Sequence, residues 1–240
     1  MKIFKAEYTH IGDRPENEDS CLCEILNSQA AYAVVADGLG GHGGGKMASK
    51  IAVKHLAKCR ESNSLPTADD IYSWMKEINT EIFNIRKNTS QMKTTAVFLA
   101  IFNEQAVWAH VGDSRLYHFH NGLLADYTSD HSIPQVKVFA GELTRDKIPA
   151  SPDRNKLLRA LGNEELDPEI HESVQLQPGW HAFLLCTDGF WEYLHEDEIW
   201  LDLLKSKSPE EWLTYLRCRG EMRKNGNADN NTAVALFIEI

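Results

Sequence analysis

The hydrophobic pattern of the chain alternates between strand-like and helical periods. Residues 31–36 (Ala-Tyr-Ala-Val-Val-Ala) are continuously apolar and stop at Asp37-Gly38, and six of the eight residues from Gly38 to Gly45 are glycine. A short run rich in Val and Tyr, bounded by breakers, predicts a buried strand. Met47, Ile51, Val53, His55 and Leu56 then recur at helical spacing, and Ile71, Trp74, Met75, Ile78, Ile82, Phe83 and Ile85 do so again. Two amphipathic helices in succession follow from this, the first over about 45–60. Upstream, residues 2–9 predict a first strand and 11–19 a polar loop. Residues 20–26 predict a second strand, with Cys21 and Cys23 on one face.

The middle of the chain returns to strand character. Residues 94–102 are almost continuously apolar, and 106–111, 116–119 and 123–127 follow with joints at Asn103-Glu104, Gly112-Asp113 and Asn121-Gly122. The last joint is a strong hairpin signal, and the pattern predicts an antiparallel meander. A strand apolar on both faces must be covered on both, here by a second sheet on one side and helices on the other. Residues 132–155 are irregular and hold Pro134, Pro149 and Pro152, an excursion from the sheet rather than a domain boundary. Strands near 169–176, 180–186 and 232–240, with helices over 196–205 and 209–222, complete the chain.

Acidic residues sit where these strands end. Asp37-Gly38 closes one apolar run and Asp188-Gly189 closes another. Asp113 lies at a strand joint, Asp229 just before the last strand, and Glu18-Asp19 just before the second. Each Asp-Gly alone reads as a turn. Five acidic positions at strand ends of one β-rich domain instead suggest convergence. Clustered carboxylates cannot all ionise without compensation, and hard divalent cations, Mg²⁺ or Mn²⁺, are the usual compensation. No histidine spacing of the HExxH kind points to zinc. Gly38, Gly40 and Gly43 do satisfy the dinucleotide fingerprint GxGxxG. The helix after them leads through Leu65-Pro66 into another helix, however, so the required βαβ unit is missing.

Composition narrows the classes further. The 240 residues are 42% hydrophobic and 25% charged, ordinary for a globular chain that forms one domain or two. A formal charge of −10 argues against nucleic acid or an anionic membrane as partner. The five cysteines show no CxxC pair, as expected of reduced thiols in a cytoplasmic protein. The first residues lack the apolar core of a signal peptide, and no run approaches the ~18 apolar residues of a membrane span.

With these residues in view, the chain resembles the protein phosphatase 2C family, the metal-dependent serine/threonine phosphatases, in its compact bacterial form. Arg14-Pro-Glu-Asn17-Glu18-Asp19-Ser20, Val35-Ala-Asp37-Gly38-Leu-Gly40-Gly41-His42 and Lys93-Thr94-Thr95 match its motifs in order. Val111-Gly112-Asp113-Ser114-Arg115, Thr128-Ser-Asp130-His131-Ser132, 152–162, Cys186-Thr187-Asp188-Gly189 and Asp229-Asn230-Asn231-Thr232 continue the series. The resemblance implies an α+β fold, a four-layer αββα sandwich of two antiparallel sheets flanked by helices. It also implies one catalytic domain over 1–240 with a flap at about 132–155.

By the same resemblance Asp37 bridges two Mn²⁺ or Mg²⁺ ions and the Gly38 carbonyl serves the second, which Glu18 supports partly through water. Asp188 and Asp229 hold the first ion, and Asp113 belongs to a third, weaker site shared with Asp188. Arg14 binds the substrate phosphate as a bidentate fork, a task lysine does poorly. A water on the metals then attacks phosphorus without a protein nucleophile. Many eukaryotic members carry a histidine two residues after the metal-binding Asp, as general acid. Leu39 stands there in this chain, and His42, three residues further on, reads as structural, so the general acid is unassigned. The expected substrates are phosphoproteins of a cognate Ser/Thr kinase, acted on by a monomer. A pseudophosphatase, the same fold used for binding alone, would be expected to have lost metal ligands.

Overall fold

The computed structural model describes residues 1–40, 44–86, 92–224 and 226–240. Its strands are β1 (Lys2–His10), β2 (Ser20–Asn27), β3 (Ala30–Ala36), β4 (Gly38–Leu39), β5 (Lys93–Thr94), β6 (Ala96–Phe102), β7 (Gln105–Val111), β8 (Arg115–His120), β9 (Leu123–Tyr127), β10 (Glu169–Ile170), β11 (Val174–Gln175), β12 (Trp180–Cys186) and β13 (Asn231–Glu239). Its helices are α1 (Gly44–Leu56), α2 (Ala68–Arg86), α3 (Ile133–Phe139), α4 (Asp188–Trp191), α5 (Glu196–Lys205) and α6 (Pro209–Arg223). A first sheet has the order β1-β13-β12-β8-β9, and a second the order β10-β7-β6-β3-β2 with β11 also on β7. Every pairing is antiparallel, and β4 with β5 makes a separate small ribbon.

The alternation of side chains explains why β3 is apolar throughout. Ala31, Ala33 and Val35 face the core between the sheets, with Val97, Leu99, Trp108, Phe183, Val234 and Leu236. Tyr32, Val34 and Ala36 face outward, into the layer that α1 and α2 close with Ile51, Ala52, Ile71, Met75 and Ile78. The first sheet buries Tyr117, Phe119, Leu184 and Ala235 under α4, α5 and α6, where Trp191, Ile199, Trp212 and Leu216 pack. Three cores between four layers confirm the αββα sandwich.

The expected meander needs correction. β6 and β7 belong to the second sheet, but β8 and β9 belong to the first, so the chain changes sheets at Gly112-Asp113-Ser114. The crossing lets β8 turn Leu116 into the central core while Tyr117 and Phe119 fill the layer under α5 and α6. The expected strand over 94–102 is likewise divided at Thr95, Thr94 pairing with Gly38 and Ala96 opening β6. The span 169–176 is two short strands on β7 rather than one. Asn121 and Gly122 adopt the positive φ of 49° and 79° that the hairpin signal requires. Residues 133–150 form α3 and a 3-10 helix at Arg145–Ala150. Among the described residues, no helix is long and apolar enough to cross a membrane.

Candidate active site

Asp37 is held by its backbone. Its carbonyl accepts from Thr95 N and from Thr94 Oγ1, both at 2.8 Å, and its N–H donates to Thr95 Oγ1 at 2.9 Å. Thr95 Oγ1 also lies 2.7 Å from Ser114 Oγ, which ties the Asp37 strand end to the sheet crossing that carries Asp113. Gly38 is required by close packing, since a Cβ there would lie 2.2 Å from the Gly45 carbonyl oxygen. Gly112 has φ of 102°, and its own Cβ would meet Thr95 Cγ2 at 2.6 Å.

Asp113 is fixed from the other side by Trp191, whose Nε1 donates to the Asp113 carbonyl at 3.0 Å. The Trp191 ring in turn lies under the Arg115 guanidinium at 3.5 Å. Arg115 is buried and makes two bonds of 2.7 Å to Asp130. Asp188 follows β12 and opens α4; Asp229 precedes β13. Asn230 organises the loop that brings in Glu18: its Oδ1 accepts from Glu18 N at 2.8 Å, and its Nδ2 donates to the Ile11 and Glu16 carbonyls at 2.8 and 3.0 Å.

Arg14, Glu18, Asp37, Gly38, Asp113, Asp188 and Asp229, all the site residues expected from sequence, line one cleft of about 700 Å³. Leu39 lines it too, together with Asn155 at the far end of the 132–155 segment and Leu157 just beyond it. His42 lies outside the described residues. Arg14 does not stand free: its Nε and Nη2 donate to the Asp229 carboxylate at 2.9 and 2.7 Å.

The electrostatics are those of crowded acids. Burial, and then Asp188, Asp19, Asp113 and Asp229, push the Asp37 carboxyl well above its ordinary range. Burial and Asp188 do the same to Asp113. Asp188 is pushed up to about 7 by burial and by Asp229, and Asp19 to about 7 by burial above all. Among the described residues, the buried Glu18 Oε1 and Asp19 Oδ1 have no hydrogen-bond partner. Unfilled carboxylate acceptors beside mutually repelling acids fit a hard divalent cation with oxygen ligands. Asp19 was absent from the expected ligands; its other oxygen accepts from Thr187 Oγ1 at 3.0 Å, joining it to the strand end that carries Asp188. Its signal was its place beside Glu18 in the first motif.

A two-sheet sandwich whose strand ends gather these carboxylates in one cleft defines the class of metal-dependent phosphatases of the 2C type. The sequence profile of protein phosphatase 2C matches residues 7–217; the chain belongs to that family and is a phosphoprotein phosphatase. Asp229 lies beyond the matched range, so its place in the cleft rests on the structure. The chain is similar to the serine/threonine phosphatase stp of Listeria welshimeri, 35% identical over 202 residues covering 81% of this chain and 79% of that one. Among solved structures it is similar to PppA, a key regulatory component of T6SS in Pseudomonas aeruginosa, with TM-score 0.82, 30% identity and coverage of 98% and 97%. The serine/threonine phosphatase PstP/Ppp of Mycobacterium tuberculosis aligns at TM-score 0.84 and 25% identity over the whole of both chains.

Proposed function

We propose that the chain hydrolyses phosphoserine and phosphothreonine monoesters in proteins at a binuclear Mn²⁺ or Mg²⁺ centre. The observation that carries this is the buried set of mutually repelling carboxylates with unfilled acceptors at Glu18 and Asp19. Glu18, Asp37, the Gly38 carbonyl, Asp188 and Asp229 would hold the two ions, and Asp113 with Asp188 a third, weaker one. Such ions supply positive charge to the phosphoryl oxygens and a bound water of lowered pKa.

The chain's own groups do the rest. Arg14, about half exposed at the edge of the cleft, presents a fork that suits two phosphate oxygens. Asp229 orients that fork in the absence of phosphate, and a carboxylate has lone pairs enough for both an arginine and a metal. Asn155 shapes the cleft from the end of the 132–155 segment, with Leu157 just beyond it, and that segment acts as a flap on a single catalytic domain and selects the protein substrate. Cysteine chemistry is disfavoured: burial pushes the Cys21, Cys23, Cys59 and Cys186 thiols up to about 12. Leu39 offers no proton at the position where many eukaryotic members carry histidine, and the general acid is unassigned. The enzyme acts as a monomer on proteins phosphorylated by a cognate Ser/Thr kinase. A pseudophosphatase is disfavoured by the retention of every expected acid in the cleft.

Hydrolysis of p-nitrophenyl phosphate, then of phosphoserine, phosphothreonine and phosphotyrosine peptides, tests the proposal with Mn²⁺ added and with EDTA. Activity should require the cation and favour phosphoserine and phosphothreonine. Full activity after exhaustive chelation would overturn it.

A further inference from the structure

The lysines of α1 form a positive row that starts at the cleft. Gly45 packs so closely on Gly38 that a Cβ on it would lie 2.5 Å from the Gly38 carbonyl oxygen, which fixes that end of the helix against the cleft wall. From there the helix carries Lys46, Lys50 and Lys54 and no acidic residue. Side chains four residues apart share one face of a helix, so the three ammonium groups follow one another at about 6 Å intervals along it. They line a depression of about 320 Å³ with Glu16, Met47, Ile51 and Glu81. Glu16 also lines the cleft, so the two hollows share a wall.

Part of the row is uncompensated. Lys46 pairs with Glu16 at 2.8 Å, and Glu81 is turned to His55, its Oε2 2.6 Å from the ring Nε2. Lys50 and Lys54 are exposed, and among the described residues neither pairs with a carboxylate. Like charges at i, i+4 repel, so the pattern works against α1 taken alone. It also runs against the chain as a whole, in which 35 acidic residues outnumber 25 lysines and arginines. On an acidic molecule a local positive row draws an anionic segment to one place while the remaining surface turns it away. Met47, 50% exposed beside the row, adds a pliable apolar contact.

The spacing suits an extended chain. Alternate side chains of an extended segment point the same way about 6.6–6.8 Å apart, close to the interval between successive lysines. Carboxylates at alternate positions of such a segment would meet Lys50 and Lys54 in register, with the end near Lys46 leading into the cleft. The phosphoryl group is common to every phosphoprotein, and Arg14 reads nothing beyond it. Contacts that tell one substrate from another must fall on what flanks the phosphorylated residue.

We propose, resting on the phosphatase reading, that the α1 row docks an acidic stretch of the substrate protein beside the phosphoserine or phosphothreonine held in the cleft. The preferred substrates are then phosphoproteins whose phosphorylated residue is flanked by glutamates and aspartates. Both contacts are exposed ion pairs, so they add a selectivity that salt removes rather than a large affinity.

The test compares p-nitrophenyl phosphate, a phosphoserine peptide with glutamates at alternate flanking positions on both sides, and the same peptide with glutamines, all with Mn²⁺ at about 0.05 M salt. Wild type should favour the glutamate peptide on the order of three- to tenfold in kcat/KM, through KM. Lys50→Glu should weaken the preference, and Lys50→Glu/Lys54→Glu should abolish or reverse it, with p-nitrophenyl phosphate hydrolysed as by wild type. Lys207→Glu is the charge-matched control, exposed after α5 on the opposite outer layer, and should keep the preference. At about 0.5 M salt wild type should lose it. Fluorescence anisotropy of labelled phosphonate analogues of the two peptides repeats the comparison as binding, without turnover. A wild type that bound and cleaved both peptides alike, or a Lys50→Glu/Lys54→Glu protein that kept the preference, would overturn the proposal. Failure of wild type to hydrolyse p-nitrophenyl phosphate would overturn the phosphatase reading instead, and the anisotropy comparison still decides the role of the row.

Discussion

Asp130→Asn tests the buried ion pair that braces Asp113. Asp130 and Arg115 share two hydrogen bonds of 2.7 Å with side chains only 1% and 5% exposed. Burial works against the Arg115 charge, and Asp130 and Tyr117 together outweigh it, leaving the guanidinium above its ordinary range. Asparagine keeps the shape and one acceptor but removes the charge, and Tyr117 Oη at 3.2 Å with the Trp191 ring at 3.5 Å cannot replace it. Breaking a buried pair typically costs about 3–5 kcal/mol, and the retained acceptor places this change near 3 kcal/mol. That is a large part of the roughly 5–15 kcal/mol by which such chains are stable. In a chain of this size it lowers Tm by roughly 6–12 °C. Urea unfolding at fixed, saturating metal measures it, with Arg115→Met/Asp130→Leu as the comparison, since an apolar replacement of both partners leaves no charge stranded. A loss under ~1 kcal/mol for Asp130→Asn, or a double variant no more stable than the single one, would refute the reasoning.

Arg14→Ala should leave stability within ~1 kcal/mol, because the pair with Asp229 is partly exposed, and raise KM on the order of 10- to 100-fold. Unchanged KM with lost metal binding in calorimetry would make Arg14 structural instead. Asp113→Asn should leave two tight ions bound and reduce kcat only in part; loss of both ions would misplace the third site. His118 is held down to about 3 by burial, then by His181 and His120. Its folded pKa lies below the unfolded value, so its contribution is full above pH ~6.5 and is lost towards pH 3, at up to about 1.4 kcal/mol per pH unit. The acid limb of Tm against pH should therefore be shallower in His118→Gln, and an identical slope in both proteins would contradict this.

Part of the cleft was legible because two of its acids, Asp37 and Asp188, share one local design. An apolar strand ending in Asp-Gly is visible twice in sequence, and the motif order supplied Arg14, Asp113 and Asp229. The two faces of β3 were legible too, since a run with no polar position can only sit between covered layers. The sheet change at Gly112 was not, because the short joint fits either a hairpin within one sheet or a crossing to another. Only tertiary packing of Leu116 against one core and Tyr117 against another decides it. Thr95 and Asn230 stood in the matched motifs without a role, and Trp191 escaped notice, for a related reason: they act through backbone and carbonyl contacts that carry no residue pattern.

The most direct test measures bound metal and hydrolysis on the same samples of wild type and Asp37→Asn. Wild type should bind two divalent ions tightly and turn over p-nitrophenyl phosphate. Asp37→Asn should bind neither tightly and stay inactive at any Mn²⁺ concentration. In EDTA it should melt no lower than wild type, since one of several repelling buried carboxylates is gone. An Asp37→Asn protein that kept both ions and its activity would contradict the placement of the catalytic centre on the Asp37 cleft.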